Sequence, residues 1–283
     1  MAEVATSTTP DLLLVVIDPV ARRTDGESVR IAKDVLGAGA RMKLCLPEGP
    51  EEFARALRRR GSRRPVVVGD DRTLLRAVAV LHRQRELAAC ALSVVPVGPQ
   101  LDLARSLGVP SGAVAAARAA LDGTERRMDL LVDDSDGVVL GTVGIPPLDD
   151  AEPEAALGEP ARPWRRTCRS LVRTLTAARP ARPVPLVGPG PSRLRVEVDG
   201  RTLVDLDQPV AGVSLSPGGT GLAEVEVRPV SVGAEASPLT AAGRTVTVSG
   251  AHFRYRADAV VSGPVRTRTW VVREGAWGLR LPD

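Results

Sequence analysis

The sequence predicts an α/β unit built on a parallel sheet, followed by an antiparallel β-sandwich unit. Across the first half, short apolar runs alternate with helical patterns, the order that builds βαβ units. Those runs are nearly continuous rather than alternating, as expected of strands covered by helices on both faces. From about residue 132 the texture changes to period-two segments separated by turn signals, the mark of antiparallel strands with one buried face.

The elements follow in order. Strands are predicted over Leu12–Ile17, Met42–Leu46, Val66–Val68 and Leu92–Val95, and helices over Glu27–Leu36, Pro50–Arg60 and Arg72–Glu86. Pro50 suits the first turn of its helix, and Gly37, Gly39 and Gly61 suit helix ends. An Ala-rich helix, Ala113–Leu121, ends at Asp122-Gly123 and leads into Arg127–Val132. The second unit offers strands at Val138–Val143, Leu194–Val198, Thr202–Leu206, Leu222–Val227, Thr245–Val248, Phe253–Ala257, Arg266–Val272 and Trp277–Leu281, with Asp199-Gly200 as a hairpin turn. The division expected is 1–131, a nucleotide-binding type of unit, and 132–283, a substrate unit.

With 283 residues, 43% of them hydrophobic and 25% charged, the chain has enough apolar material for two cores. Its three cysteines, Cys45, Cys90 and Cys168, have no paired spacing and read as inert thiols. The two histidines, His82 and His252, read as scaffold residues, and no residue is assigned to a metal. The first ten residues lack a basic leader, and no apolar run is long enough to span a bilayer, so a cytoplasmic location is expected.

Net charge is only +4, but it is unevenly spread: Pro160–Leu194 has no acidic residue and gathers arginines from Arg162 to Arg182. Trp164, Cys168, Leu171 and Leu175 recur there at helical spacing, so a basic amphipathic helix is predicted over 163–177. It either packs on the fold with a solvated face or contacts an anionic membrane surface, which would place the protein at the inner membrane face. Aromatic residues are 2% of the chain, too few for nucleic-acid stacking platforms.

Two loops resemble phosphate-binding loops that have lost key residues. Gly69-Asp70-Asp71-Arg72-Thr73 follows the third strand, and Gly98-Pro99-Gln100-Leu101-Asp102-Leu103-Ala104-Arg105 follows the fourth. Each stands where α/β proteins aim backbone N–H groups at anions. Together with Asp18-Pro19 after the first strand, Ser106-Leu107-Gly108-Val109-Pro110 and Arg127-Met128-Asp129-Leu130, they resemble the diacylglycerol kinase family of bacterial lipid kinases, whose architecture is shared with NAD kinases. That family carries Asn-Pro, Gly-Gly-Asp-Gly-Thr and Gly-Thr-Gly-Asn-Asp-Phe-Ala-Arg at the corresponding places.

The resemblance implies nucleotide contacts at Asp18, Gly69, Asp71, Arg72, Thr73, Gly98, Asp102 and Arg105, with ATP and Mg²⁺ as cofactors of an active enzyme. The departures argue otherwise. Asp70 and Arg72 stand at glycine positions, adding charge and bulk where phosphates would lie, and Pro99 removes an N–H. Asp71 either contacts a ligand or caps the helix starting near Arg72, and Asp102 either contacts a ligand or caps Leu103–Leu107. By the same resemblance, the family's Asp-Gly-x-Leu-Asp segment corresponds to Gly219–Glu224, where Thr220 replaces the carboxylate and Glu224 is the nearest candidate for a catalytic base, unless it is a solvent-facing strand residue. Three readings follow: a lipid kinase whose activity is weak or lost, a non-catalytic protein binding a lipid or small ligand, and, ranked last, a NAD kinase. A homodimer is an added expectation.

Overall fold

The computed structural model describes residues 12–147, 191–230 and 237–283. The basic helix expected at 163–177, and all arginines from Arg162 to Arg182, lie outside the described residues.

Strands β1 (Leu12–Ile17), β2 (Arg41–Cys45), β3 (Arg64–Gly69) and β4 (Ala91–Pro96) form a parallel sheet in the order β2-β1-β3-β4. Between them run α1 (Pro19–Thr24), α2 (Gly26–Gly39), α3 (Pro50–Arg58) and α4 (Asp71–Arg83), followed by α5 (Asp102–Ser106) and α6 (Ala113–Asp122). Because strand side chains alternate, β1 feeds two cores: Leu13, Val15 and Ile17 pack with α2 and α6, while Leu14 and Val16 pack with α3 and α4. This two-sided burial explains the unbroken apolar runs.

Beyond α6 come β5 (Thr124–Asp133), β6 (Val138–Val139), β7 (Val143–Ile145), β8 (Ser192–Val198), β9 (Arg201–Val204), β10 (Pro209–Pro217), β11 (Ala223–Pro229), β12 (Leu239–Gly243), β13 (Thr245–Ala257) and β14 (Val260–Leu281). Strands β10 and β13 each pair with both β7 and β8, so these four close a circuit around a second apolar core. Strand β13 covers two segments that the sequence separates, joined through bulges between Ser249 and Tyr255. Strands β10 and β12 have no counterpart among the expected elements. Flanking prolines and a register shift between Val210 and Gly212 obscure the alternation of β10.

The division expected at 131/132 is crossed by β14. Its start pairs with β13, its body with β5, and Gly278 and Leu279 pair in parallel with Ala91 and Leu92 of β4. Trp277, Leu279 and Leu281 are buried in the core of the first unit, since their alternation turns apolar side chains onto its sheet.

Candidate functional site

The C-terminal ends of β1, β3 and β4 converge where an open α/β sheet presents its ligand crevice. Asp18 caps α1 by accepting from the Val20 amide at 2.7 Å, and its other oxygen pairs with Arg76 at 3.2 Å. This short helix explains why Pro19 follows: a proline is at ease in a first turn.

The two loops are stitched to each other. The Val97 amide donates to the Gly69 carbonyl at 3.0 Å, and the Asp71 amide donates to the Gln100 carbonyl at 2.9 Å. Asp70 caps α4, its carboxylate accepting from the Thr73 amide at 3.0 Å and the Thr73 hydroxyl at 2.9 Å. A Cβ on Gly69 would fall 2.7 Å from Thr73, and Gly98, at φ +139°, lets the second loop lie against Asp70.

Asp71 takes a role the sequence did not suggest. It is buried and reaches across to α5, accepting from the amides of Leu103 and Ala104, each at 2.9 Å. Thus Asp70, not Asp71, caps α4, and Asp71, not Asp102, satisfies the start of α5. Asp102 points outward, its side chain 91% exposed and paired with Arg105 at 2.7 Å.

The crevice has two lobes that meet at Ala259. The smaller, about 330 Å³, is lined by Asp71, Gln100, Asp102, Thr142, Arg256 and Asp258, among others. The larger, about 590 Å³, lies beside Arg72 and Arg76. Of the expected residues, Asp71, Asp102 and Arg72 line the lobes, Asp18 reaches them through Arg76, and Gly69, Thr73 and Gly98 serve the packing behind. Arg105 is not among the lining residues. Glu224 stands apart, in a depression with Ser214 and Thr240 on the β10–β12 sheet. The turn before it is fastened elsewhere, because the Gly221 amide donates to buried Asp129 at 2.7 Å.

The carboxylate that does face Asp71 is Asp258. It sits at φ +50° in the two-residue turn between β13 and β14 and accepts from the amides of Leu140, Gly141 and Thr142 at 2.8–2.9 Å. Burial pushes its carboxyl above the ordinary carboxylate range; the three donors oppose the rise and the charge of Asp71 adds to it. Asp71 is likewise raised, first by burial, with the Ala104 and Leu103 amides opposing and Asp102 and Asp70 reinforcing. The sequence signal for Asp258 was the Asp-Ala pair between apolar strand segments, a turn position that tolerates positive φ.

Residues 13–132 match the family model of the diacylglycerol kinase catalytic domain. This segment belongs to that family. Solved structures from Bacillus anthracis str. Sterne are similar to the chain over nearly all of its length. One, assigned as a diacylglycerol kinase, has a TM-score of 0.71 at 15% identity, covering 97% of this chain and 98% of its own. A second crystal structure so assigned gives 0.70 at 14%, covering 98% and 99%. A third, described as a diacylglycerol kinase, gives 0.68 at 13%, covering 98% of each. At such identities the likeness establishes the mixed α/β fold with its large antiparallel sheet. Curated protein sequences give no match. Among the described residues no helix is long and apolar enough to cross a membrane.

A diacylglycerol kinase cleft implies a nucleotide and its magnesium. The loop residues of this chain do not fit a triphosphate: the carboxylate of Asp70 stands on the first turn of α4, and the Asp71 and Thr73 amides are already given to Gln100 and Asp70. An anion seat needs unspent N–H groups and no carboxylate beside it.

Proposed function

We propose that this protein is a diacylglycerol-kinase-family member in which phosphoryl transfer is weak or lost and whose crevice holds a lipid or other small ligand. The observation that carries this reading is the position of Asp70, which takes the place an anion would occupy at the N-terminus of α4. Arg72 adds bulk at the next glycine position of the family's loop. A NAD kinase would make the same demand on that loop, so it ranks below.

The alternative is a lipid kinase that retains turnover, with ATP, Mg²⁺ and a lipid hydroxyl as reactants. Asp258 favours it: a half-buried carboxylate with a raised pKa lining the crevice suits a general base, a role worth ~10²–10⁴ in rate. Glu224, outside the crevice, does not suit that role.

The test is titration calorimetry with Mg-ATP beside a radiolabelled phosphate-transfer assay on diacylglycerol. The expected result is no saturable heat and no transfer. Turnover near the ~1–100 s⁻¹ usual for kinases would overturn the reading. A lipid ligand would bring the protein to the cytoplasmic membrane face, with Arg162–Arg182 as its anionic-surface contact. Liposome co-sedimentation should then fall when Arg165, Arg166 and Arg169 become Ala and when salt is raised.

A further inference from the structure

The larger lobe, about 590 Å³, falls within the ~300–1,000 Å³ typical of small-molecule sites. Apolar side chains enclose it from three directions: Leu75 and Ala79 of α4, Val138 and Val139 of β6, and Val260 and Val261 of β14. The last two are 55% and 43% exposed, large aliphatic groups left to solvent at the rim.

The charges around the lobe nearly cancel. Asp133 accepts from the Ser135 and Gly137 amides, each at 2.8 Å, and lies 3.9 Å from Arg268. Arg76 is paired with Asp18 and lies over the Phe53 ring. Arg72 remains, exposed on the first turn of α4, with no hydrogen bond or ion pair among the described residues. One unspent guanidinium lining a largely apolar trough complements one negative head on one hydrocarbon tail. A nucleotide triphosphate matches neither feature: its several charges exceed this cation, and Tyr255, the aromatic side chain lining the lobe, is 3% exposed and offers a base no open face.

We propose that the lobe binds a single-headed amphipathic anion, a fatty carboxylate or an alkyl phosphate, with the head on Arg72 and the chain between α4 and the β13–β14 hairpin. This rests on the reading of the crevice as a ligand site without turnover. Titration calorimetry with laurate and dodecyl phosphate below their micellar concentrations tests it. Saturable binding is expected, at least tenfold tighter than for neutral monolaurin, with none for inorganic phosphate alone. Preference for laurate identifies a carboxylate head, and preference for dodecyl phosphate identifies a phosphate head.

Arg72→Ala should abolish the tenfold margin over monolaurin while leaving the circular dichroism spectrum unchanged. Ala79→Phe should weaken binding of both acids by filling the lobe. Val260→Asp, at an exposed wall position, should do the same if the Phe variant does not fold. Equal affinity for laurate and monolaurin, or no binding of either acid, overturns the proposal. Mg-ATP turnover overturns the functional reading instead; loss of acid binding without turnover removes this inference alone.

Discussion

Replacing Asp71 by Ala should loosen the crevice in a way that its geometry makes calculable. The carboxylate accepts two amides at 2.9 Å, and the one from Ala104 is buried. Without it, each N–H loses a charged acceptor, and a buried donor left unsatisfied costs ~1–3 kcal/mol. The raised pKa of Asp71 shows that burial already penalises its charge, which places the net loss at the lower end, about 2–3 kcal/mol in all. Hydrogen exchange read residue by residue is the direct assay. A loss of that size corresponds to roughly 30- to 150-fold faster exchange at the Leu103 and Ala104 amides, at ~1.4 kcal/mol per factor of ten. Asp71→Asn, which keeps one acceptor oxygen, should lose about half as much free energy. Wild-type exchange rates at both amides in the Ala variant would refute the argument that Asp71 holds α5 in place.

Three further outcomes follow from the same geometry. The double change Asp70→Gly and Arg72→Gly should free the first turn of α4 and give saturable Mg-ATP heat in calorimetry where the wild type gives none; a variant that still shows no saturable heat would show that these residues are not what excludes the nucleotide. Asp258 and Asp71 hold their protons more tightly when folded than when unfolded, so their contribution to stability is full below the unfolded carboxylate pKa and is lost as pH rises through their raised values. Urea midpoints should therefore decline over that window less steeply in Asp258→Asn than in wild type, and parallel profiles would contradict the assignment. Gly123→Ala would set a Cβ against the carbonyl oxygens of Leu281 and Ala119, so thermal unfolding should show a loss of about 3 kcal/mol or more, the scale of severe core disruptions.

The parallel sheet was legible because apolar runs with helical intervals leave few other solutions; β1 and β4 fall within a residue of their expected bounds. The strands β10 and β12 were not: Pro209, Gly212 and a register shift interrupt the apolar positions of β10, and β12 is a short Leu-Thr-Ala-Ala-Gly run whose side chains are mostly exposed. At the crevice, the sequence located the two loops that supply Arg72, Asp71 and Asp102 to its walls, but not the partners of their carboxylates. A cap within one helix follows from local spacing, and Asp70 and Thr73 obey it. The bond from Asp71 to α5 spans 32 residues and depends on how β3 and β4 sit side by side, which no local pattern encodes. The same holds for Asp258, whose place opposite Asp71 depends on the closure of β13 against β7. Glu224 was singled out by its neighbours in sequence, whereas it lines a separate depression on the β10–β12 sheet and the turn before it is held by Asp129.

The path of β14 bears on how the molecule is made. Trp277, Leu279 and Leu281 complete an interior whose other walls are built from residues 14–140. A nascent chain emerging from the ribosome therefore cannot finish its first-formed half until Leu281 has been added. Cutting out 1–131 to obtain a minimal nucleotide-type fragment would leave an indole-sized hole and an unpaired edge on β4, an invitation to aggregation. Supplying the final strand as a separate peptide should rescue such a fragment, in the manner of a split protein.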